Sequence, residues 1–217
     1  CPVVNAFFDR HGSELLSKSL EHFSISMTAL AIGALIAIPV GILVSRNKRV
    51  SQIVIGLTSI LQTIPSLALL AMVVPILGVG RTPAIFALVI YSLLPILRNT
   101  VLGMESVDDN VLDAAKGMGM NSFQLIMRVQ LPLAMPVLIA GVRLSGTYVL
   151  AWATIASYIG AGGMGDFIFA GLNNYNIPLI FAGTVSITLL TLIVDYLFEI
   201  LEKRVTPKTH RNGVVFS

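Results

Sequence analysis

The feature that most constrains this chain is a series of long stretches without charge. The first runs from Phe23 to Ser45 and is followed at once by Arg46, Lys48 and Arg49. A helix of about 20 apolar residues crosses the hydrocarbon core of a bilayer. Because that core offers no water to backbone amides, a segment that spans it alone has to be helical. The sequence therefore predicts an all-α membrane protein.

Four further apolar stretches follow the first. The second, residues 50–80, is too long for one straight crossing, and Pro65 predicts a kink within it. The others occupy residues 83–104, 133–159 and 177–201. Only 12% of the residues are charged, against about a quarter in soluble proteins, so lipid is the expected solvent. We predict five crossings within a transmembrane domain over residues 23–201.

The basic residues indicate the direction of these crossings, because cytoplasmic loops are enriched in Lys and Arg. With five crossings, one side carries Arg46, Lys48, Arg49, Lys116, Arg128, Lys203, Arg204, Lys208 and Arg211, and the other carries Arg10, Lys18 and Arg81. We expect a cytoplasmic C-terminus, with a cytoplasmic tail over residues 202–217. Residues 1–22 mix apolar and charged side chains, which predicts an amphipathic helix along the outer interface.

Four charged residues fall inside the predicted spans, near their cytoplasmic ends. They are Arg98, Arg143, Asp195 and Glu199. Each side chain could extend to the interface, as long charged side chains near span ends do. Alternatively, Arg143 and Asp195 could pair between the fourth and fifth spans, since a charge facing a bundle needs a partner. The sequence leaves both interpretations open.

The polar segment over residues 105–132 is the one sizeable cytoplasmic loop that this topology allows. Its first half has helical composition, and Gly119 is suited to the left-handed residue that ends a helix. Asn121 and Gln124 have the spacing of a capping box, which predicts the start of a second short helix. That helix is expected to stop before Pro132. We call residues 105–132 the coupling loop.

The coupling loop resembles the EAA motif of ABC importer permeases, which has an acidic residue, two small residues, a glycine and a later proline. The matching residues are Asp113, Ala114, Ala115, Gly119, Leu131 and Pro132. In that family the loop docks into a groove on a separate ATPase subunit. The resemblance implies that Asp113 orients the loop, Ala114 and Ala115 permit close contact, Gly119 makes the turn, and Pro132 breaks the helix. Asp113 departs from the usual Glu by one methylene.

The resemblance extends over about residues 20–201. The segments 62–66, 159–165 and 165–176 look like permeases of the osmoprotectant group, which import glycine betaine, carnitine or choline, and somewhat like methionine importers. It implies the five-helix core of the methionine-importer-like (type I ABC importer) fold with cytoplasmic coupling helices. It also implies a prokaryotic cell-membrane location, a second permease subunit, an external substrate-binding protein and ATPase subunits. ATP and magnesium would be bound by those ATPase subunits, and no cofactor by this chain.

Several residues are candidates for a transport pathway or gate: Gln62, Pro65, Tyr91, Tyr148 and Trp152. Pro65 frees a backbone carbonyl within a span, which can line a pathway or relieve packing. Aromatic faces attract quaternary ammonium groups. The same aromatic residues could instead pack in the core or anchor the interface. In the resembling family, the selective aromatic box belongs to the binding protein.

A glycine-rich segment follows the fourth span and contains Gly160, Gly162, Gly163 and Gly165. Glycine permits backbone angles closed to other residues, so we expect unusual turns there, at the outer mouth or under a docked binding protein. The segment lacks the Lys-Ser/Thr ending of a phosphate loop and lies on the wrong side for ATP. We call residues 160–165 the glycine loop.

Other function classes find little support in the sequence. His11, His22 and His210 show no metal spacing, and one cysteine forms no internal disulfide. Hydrolase and metalloprotease motifs do not occur, so we predict a transport subunit and not an enzyme. Basic residues do not form a stripe with aromatics, which argues against nucleic acid. The alternatives are a methionine or other amino-acid importer, an intramembrane enzyme and a structural scaffold.

Overall fold

The computed structural model describes the backbone of residues 2–205 and the side chains of residues 12–205. Over this part of the chain the regular structure is entirely helical, which confirms the predicted class. Most of the predicted tail, including Lys208, His210 and Arg211, lies outside the described residues, as do the side chains of Arg10 and His11.

The helices follow one another with short connections. They are α1 (Pro2–Val44), α2 (Lys48–Thr63), α3 (Ser66–Leu77), α4 (Arg81–Glu105), α5 (Asp109–Gly117), α6 (Ser122–Leu125), α7 (Leu131–Ala156), α8 (Gly165–Asn173) and α9 (Ile177–Val205). A π-helical turn, Ile126–Gln130, joins α6 to α7. The described part of the chain has four helices long and apolar enough to cross a membrane, and α2 with α3 makes a fifth crossing if that bent pair is one span.

The N-terminal segment belongs to the same helix as the first span. We predicted a separate amphipathic helix over residues 1–22, but α1 continues through this point without interruption. The reason is tertiary packing: Leu15 and His22 are buried, and Glu21 binds the glycine loop. The predicted boundary at residue 22 therefore does not coincide with a helix end.

The predicted second crossing is broken into two helices and not merely kinked. The axes of α2 and α3 differ by 89° across the residues around Pro65. Ile64 has extended backbone angles, as expected for a residue that precedes proline, so α2 cannot continue through it. At the other end of α3, Gly78 has a φ of 80°, which stops that helix. The two halves therefore lie along different directions.

Helix α4 is the centre of the fold and contacts α1, α2, α3 and α7. Its contact with α1 depends on small residues. A Cβ atom added at Gly33 would lie 1.8 Å from Ser92 Oγ, and one added at Gly41 would lie 2.6 Å from Thr100 Cγ2. Because the residue numbers of both helices increase from the first contact to the second, α1 and α4 run parallel. Close helix approach through small residues is the usual packing of membrane helices.

Helices α4 and α7 pack antiparallel and equally closely. A Cβ atom added at Gly141 would lie 2.4 Å from Asn99 Cβ, and the Ser145 hydroxyl donates to the Ser92 carbonyl at 3.0 Å. Gly103 approaches the Ala134 carbonyl in the next part of the same interface. These contacts fix the register between the two helices.

Gly141→Ala should destabilise the subunit by about 1–3 kcal/mol, because the added methyl group overpacks a rigid backbone contact. Gly56→Ala is the matched control: Gly56 lies within α2 and has nothing within 4 Å of an added Cβ. That change should be neutral or stabilise by up to about 1 kcal/mol through helix propensity. Thermal unfolding of the purified complex measures both variants, and equal effects would contradict this packing.

A charge network joins α7 to α9. The Arg143 guanidinium donates to both Asp195 oxygens, at 2.6 and 2.7 Å, and also contacts Glu202 at 3.3 Å and Glu199 at 3.4 Å. Lys203 also pairs with Glu199. For Arg143 and Asp195, the pairing interpretation is confirmed. A bidentate pair satisfies both groups where hydration is scarce.

Exchanging the charges of the central pair tests this network. Arg143→Asp and Asp195→Arg should each lower the amount of folded, active subunit, because each leaves like charges facing one another. The double variant should restore part of both quantities. Membrane abundance and uptake by the complete importer are measured for all three variants. A double variant no better than the worse single variant would contradict the pairing.

Candidate functional site

The first half of the coupling loop forms as the sequence predicts. The Asp108 carboxylate accepts from the Asn110 amide at 2.8 Å and begins α5. The helix ends at Gly117, and Gly119 has a φ of 82°, the left-handed conformation expected for the turn. The chain can therefore reverse sharply between the two short helices.

The second half begins as predicted but does not end as predicted. Asn121 and Gln124 form the reciprocal capping box, with distances of 2.9 and 3.0 Å. The expected stop before Pro132 is wrong, since α6 continues through the π-helical turn into α7. There the Leu131 amide donates to the Ile126 carbonyl, five residues back. This wider turn accommodates a proline that an ordinary helical turn would exclude.

The motif residues of the coupling loop have different environments. Asp113 and Ala114 are exposed, and the Asp113 carboxylate pairs with Lys116 at 2.9 Å. Ala115 is only 2% exposed, so the expectation that it offers close contact to another protein is wrong for this residue. It lies on the inner face of α5, which packs against α6 and the π-helical turn. Leu131 is half-buried and Pro132 is exposed, at the start of α7.

Large apolar side chains are exposed on the same loop, and the sequence reasoning did not single them out. Met118 and Phe123 flank the Gly119 turn, and Phe123 is 68% exposed. Val111 and Met127 are exposed on the adjoining helices. The sequence could have indicated these residues by their position, because apolar residues in a polar loop that is predicted to lie outside the membrane have no bilayer to face.

The break at Pro65 is held by two hydrogen bonds to α4. The side-chain amide of Gln62 donates to the Tyr91 carbonyl at 2.8 Å, and the Tyr91 hydroxyl donates to the Ile64 carbonyl at 2.6 Å. The Tyr91 carbonyl is available because Pro95, four residues later, has no amide hydrogen. The Ile64 carbonyl is equally available, because α2 ends there. The break at Pro65 thus supplies an acceptor for α4, and the proline in α4 supplies an acceptor for α2.

Three of the candidate aromatic residues form a continuous row. The ring centroids of Tyr91 and Trp152 are 4.4 Å apart, and those of Trp152 and Tyr148 are 5.7 Å apart. Tyr91 is 3% exposed, Trp152 is half-buried, and Tyr148 is 42% exposed. We call these three residues the aromatic row. The structure thus brings together the predicted pathway set, with Gln62 and the break at Pro65 beside Tyr91.

The glycine loop contains the unusual angles that we expected, and it packs against α1. Gly160, Gly162 and Gly163 have φ values of 77°, 81° and 91°. The Gly163 amide donates to the Glu21 carboxylate at 3.1 Å. Gly165 has ordinary helical angles and starts α8, where an added Cβ would lie 2.3 Å from the Thr154 carbonyl. Its smallness matters, not its flexibility.

Side chains of α1 complete this contact, and nothing in the sequence pointed to them. Lys18 pairs with Asp166 of α8 at 2.7 Å, and the His22 imidazole contacts the Leu150 carbonyl at 2.9 Å. Among the described residues, no group of three His, Cys, Asp or Glu side chains could hold a metal ion. The end of the bundle with the glycine loop, which we call the loop end, is therefore tied together by ion pairs and hydrogen bonds.

Relatives match this chain over at least 93% of its length. The carnitine transport permease protein OpuCB of Listeria monocytogenes is 52% identical, over 97% of both chains. The glycine betaine/carnitine/choline transport system permease protein OpuCB of Bacillus subtilis is 48% identical, and the choline transport system permease protein OpuBB of the same species is 47% identical. Each of these two alignments covers 93% of both chains.

Solved structures show the same fold at lower identity. An inward-facing MetNI methionine ABC transporter matches with a TM-score of 0.81 and 22% identity, over 89% of this chain and 96% of that one. An amino acid ABC transporter crystallised with histidines matches with a TM-score of 0.76, over 92% and 97%. The predicted type I importer permease fold is confirmed.

The profile of one family matches residues 29–207, which include the helices of the aromatic row and the whole coupling loop. Its description is binding-protein-dependent transport system inner membrane component. With this match and the full-length relatives, the chain belongs to that family of membrane transport components.

Proposed function

We propose that this chain is the permease subunit of an ATP-driven importer that carries a quaternary-amine osmoprotectant delivered by an external binding protein. One observation carries the substrate class: three relatives at 47–52% identity are named for glycine betaine, carnitine or choline. All three compounds contain a quaternary ammonium group. A methionine or other amino-acid importer is the weaker alternative, because those transporters match at 22% identity or below.

The chain works with partners that perform the other steps. Two ATPase subunits hold ATP and magnesium, and a second permease subunit, identical or homologous, completes the path. The coupling loop faces the cytoplasm and inserts into the ATPase. Its exposed Met118 and Phe123 support this role, since apolar groups on a water-facing loop gain from burial against a partner. The expected cytoplasmic C-terminus lies on the same side.

The coupling loop acts as a lever on the aromatic row. Helix α6 continues through the π-helical turn into α7, so no flexible linker separates Phe123 from Tyr148 and Trp152. Helix α7 also packs closely on α4, which carries Tyr91. When ATP binding favours one arrangement of the ATPase subunits, it biases the permease through this rigid connection. The aromatic row is then exposed in turn to the outer and the cytoplasmic side of the membrane.

The loop end faces the outside of a prokaryotic cell and receives the binding protein. The close contact between the glycine loop and α1 supports this role, because it presents a defined outer surface. Substrate released there reaches the aromatic row, whose exposed faces attract a quaternary ammonium group. Gln62 and the break at Pro65 hold the row in position.

The ATPase contact is tested by crosslinking from single cysteines. In a Cys1→Ser background, Phe123→Cys should be captured by the ATPase subunit in an active complex, because Phe123 lies at the exposed turn of the coupling loop. Tyr175→Cys is the matched control, since Tyr175 is 93% exposed next to α8, at the loop end. Equal capture of both positions, or none at Phe123 while uptake persists, would contradict the proposal.

The substrate class is tested by uptake into vesicles that contain the complete importer and its binding protein. Labelled glycine betaine, carnitine or choline should accumulate with ATP and not with a nonhydrolysable analogue. Methionine should not accumulate. Accumulation of methionine, with none of the three quaternary amines, would replace this proposal with the amino-acid alternative.

A further inference from the structure

Arg98 and Arg143 lie within predicted spans, and their surroundings differ. Arg143 is held by Asp195, Glu199 and Glu202. Arg98 of α4 is exposed, and in the described part of the chain no carboxylate lies within ion-pair distance of it. A charged side chain within a span needs a partner or water, and it marks a functional site by default. Among the side chains of residues 12–205, Arg98 therefore has no ion-pair partner, and its guanidinium is available to a group from outside the chain.

The packing register gives the level of Arg98 along the axis of the bundle. Gly141 of α7 lies against Asn99, so Arg98 has the same depth as the segment of α7 next to Arg143. It is also two helical turns, or about 10 Å, from Tyr91. Seven residues bring a helix back to nearly the same face, so Arg98 follows Tyr91 along one side of α4.

The directions of the side chains bring Arg98 and Tyr148 toward each other. Side chains on an α-helix lean toward its N-terminus. Helix α4 begins at the loop end, so Arg98 leans away from the coupling loop and toward the aromatic row. Helix α7 begins at the coupling loop, so Tyr148 leans toward the level of Arg98. Leu144, four residues before Tyr148, is exposed on the same face of α7.

We propose that Arg98, Tyr148 and Trp152 form a transit site for a zwitterion that contains a quaternary ammonium group and a carboxylate. The aromatic faces bind the cation, and the guanidinium binds the carboxylate through two parallel hydrogen bonds. This inference rests on the proposed function, because it names how the permease itself recognises that substrate. Arg98 is then the group that distinguishes glycine betaine and carnitine from choline, which has no carboxylate.

The test is uptake by the complete importer with Arg98→Gln. Initial uptake of glycine betaine and carnitine should fall at least about tenfold. The loss of a hydrogen bond to a charged group weakens binding by about that factor. ATP hydrolysis stimulated by the loaded binding protein should stay within about twofold. Where the parent importer carries choline, its uptake should be unchanged. Arg98→Lys should recover part of the uptake of glycine betaine and carnitine, because it keeps the charge and loses the bidentate geometry.

Arg49→Gln is the matched control, because it removes the same charge from the exposed start of α2 and should change none of these quantities. Unchanged uptake in Arg98→Gln would show that Arg98 only extends to the interface. A parallel loss of uptake and ATP hydrolysis, or of choline with the zwitterions, would show a structural role. Both results overturn the transit site. Failure of the parent importer to carry any of the three compounds would overturn the proposed function instead.

Discussion

The rest of this structure depends on the close approach of α4 to α1 and α7. Water is absent from the middle of a bilayer, so helices there associate through tight packing and hydrogen bonds and not through the hydrophobic effect. Gly33, Gly41 and Gly141 remove the side chains that would hold the helices apart. The resulting register places Tyr91 against Trp152 and Asn99 against Gly141. Both the aromatic row and the depth of Arg98 follow from it.

Proline has two different consequences in this fold, because it restricts the residue before it and lacks an amide hydrogen. At Pro65 the helix breaks by 89°, and Tyr91 satisfies the carbonyl at the break. At Pro95 the helix continues, and the freed Tyr91 carbonyl accepts from Gln62. At Pro132 a wider turn keeps the chain helical. The break and the aromatic row are therefore parts of one hydrogen-bonded unit, which α7 connects to the coupling loop.

The two ends of the bundle are constructed differently. At the loop end, Lys18 and Glu21 of α1 bind Asp166 and Gly163, so the surface is tied to the spans by polar contacts. At the other end, the coupling loop exposes Met118 and Phe123, which suit burial in a partner. Between them, Arg143 fixes α9 to α7 through three carboxylates. The lever that we propose requires a continuous connection from the coupling loop to the aromatic row, and α6, the π-helical turn and α7 form one.

The sequence by itself determined the features that depend on neighbouring residues along the chain. Apolar stretches determined the helical class and the positions of the four long apolar helices, and Gly119, Asn121 and Gln124 determined the turns of the coupling loop. Only the tertiary structure decided which faces meet. It buried Ala115, joined residues 2–22 to the first span and paired Arg143 with its carboxylates. It left Arg98 without a carboxylate partner among the side chains of residues 12–205. Local patterns report backbone preference, whereas these outcomes depend on helix register, which contacts between distant residues set.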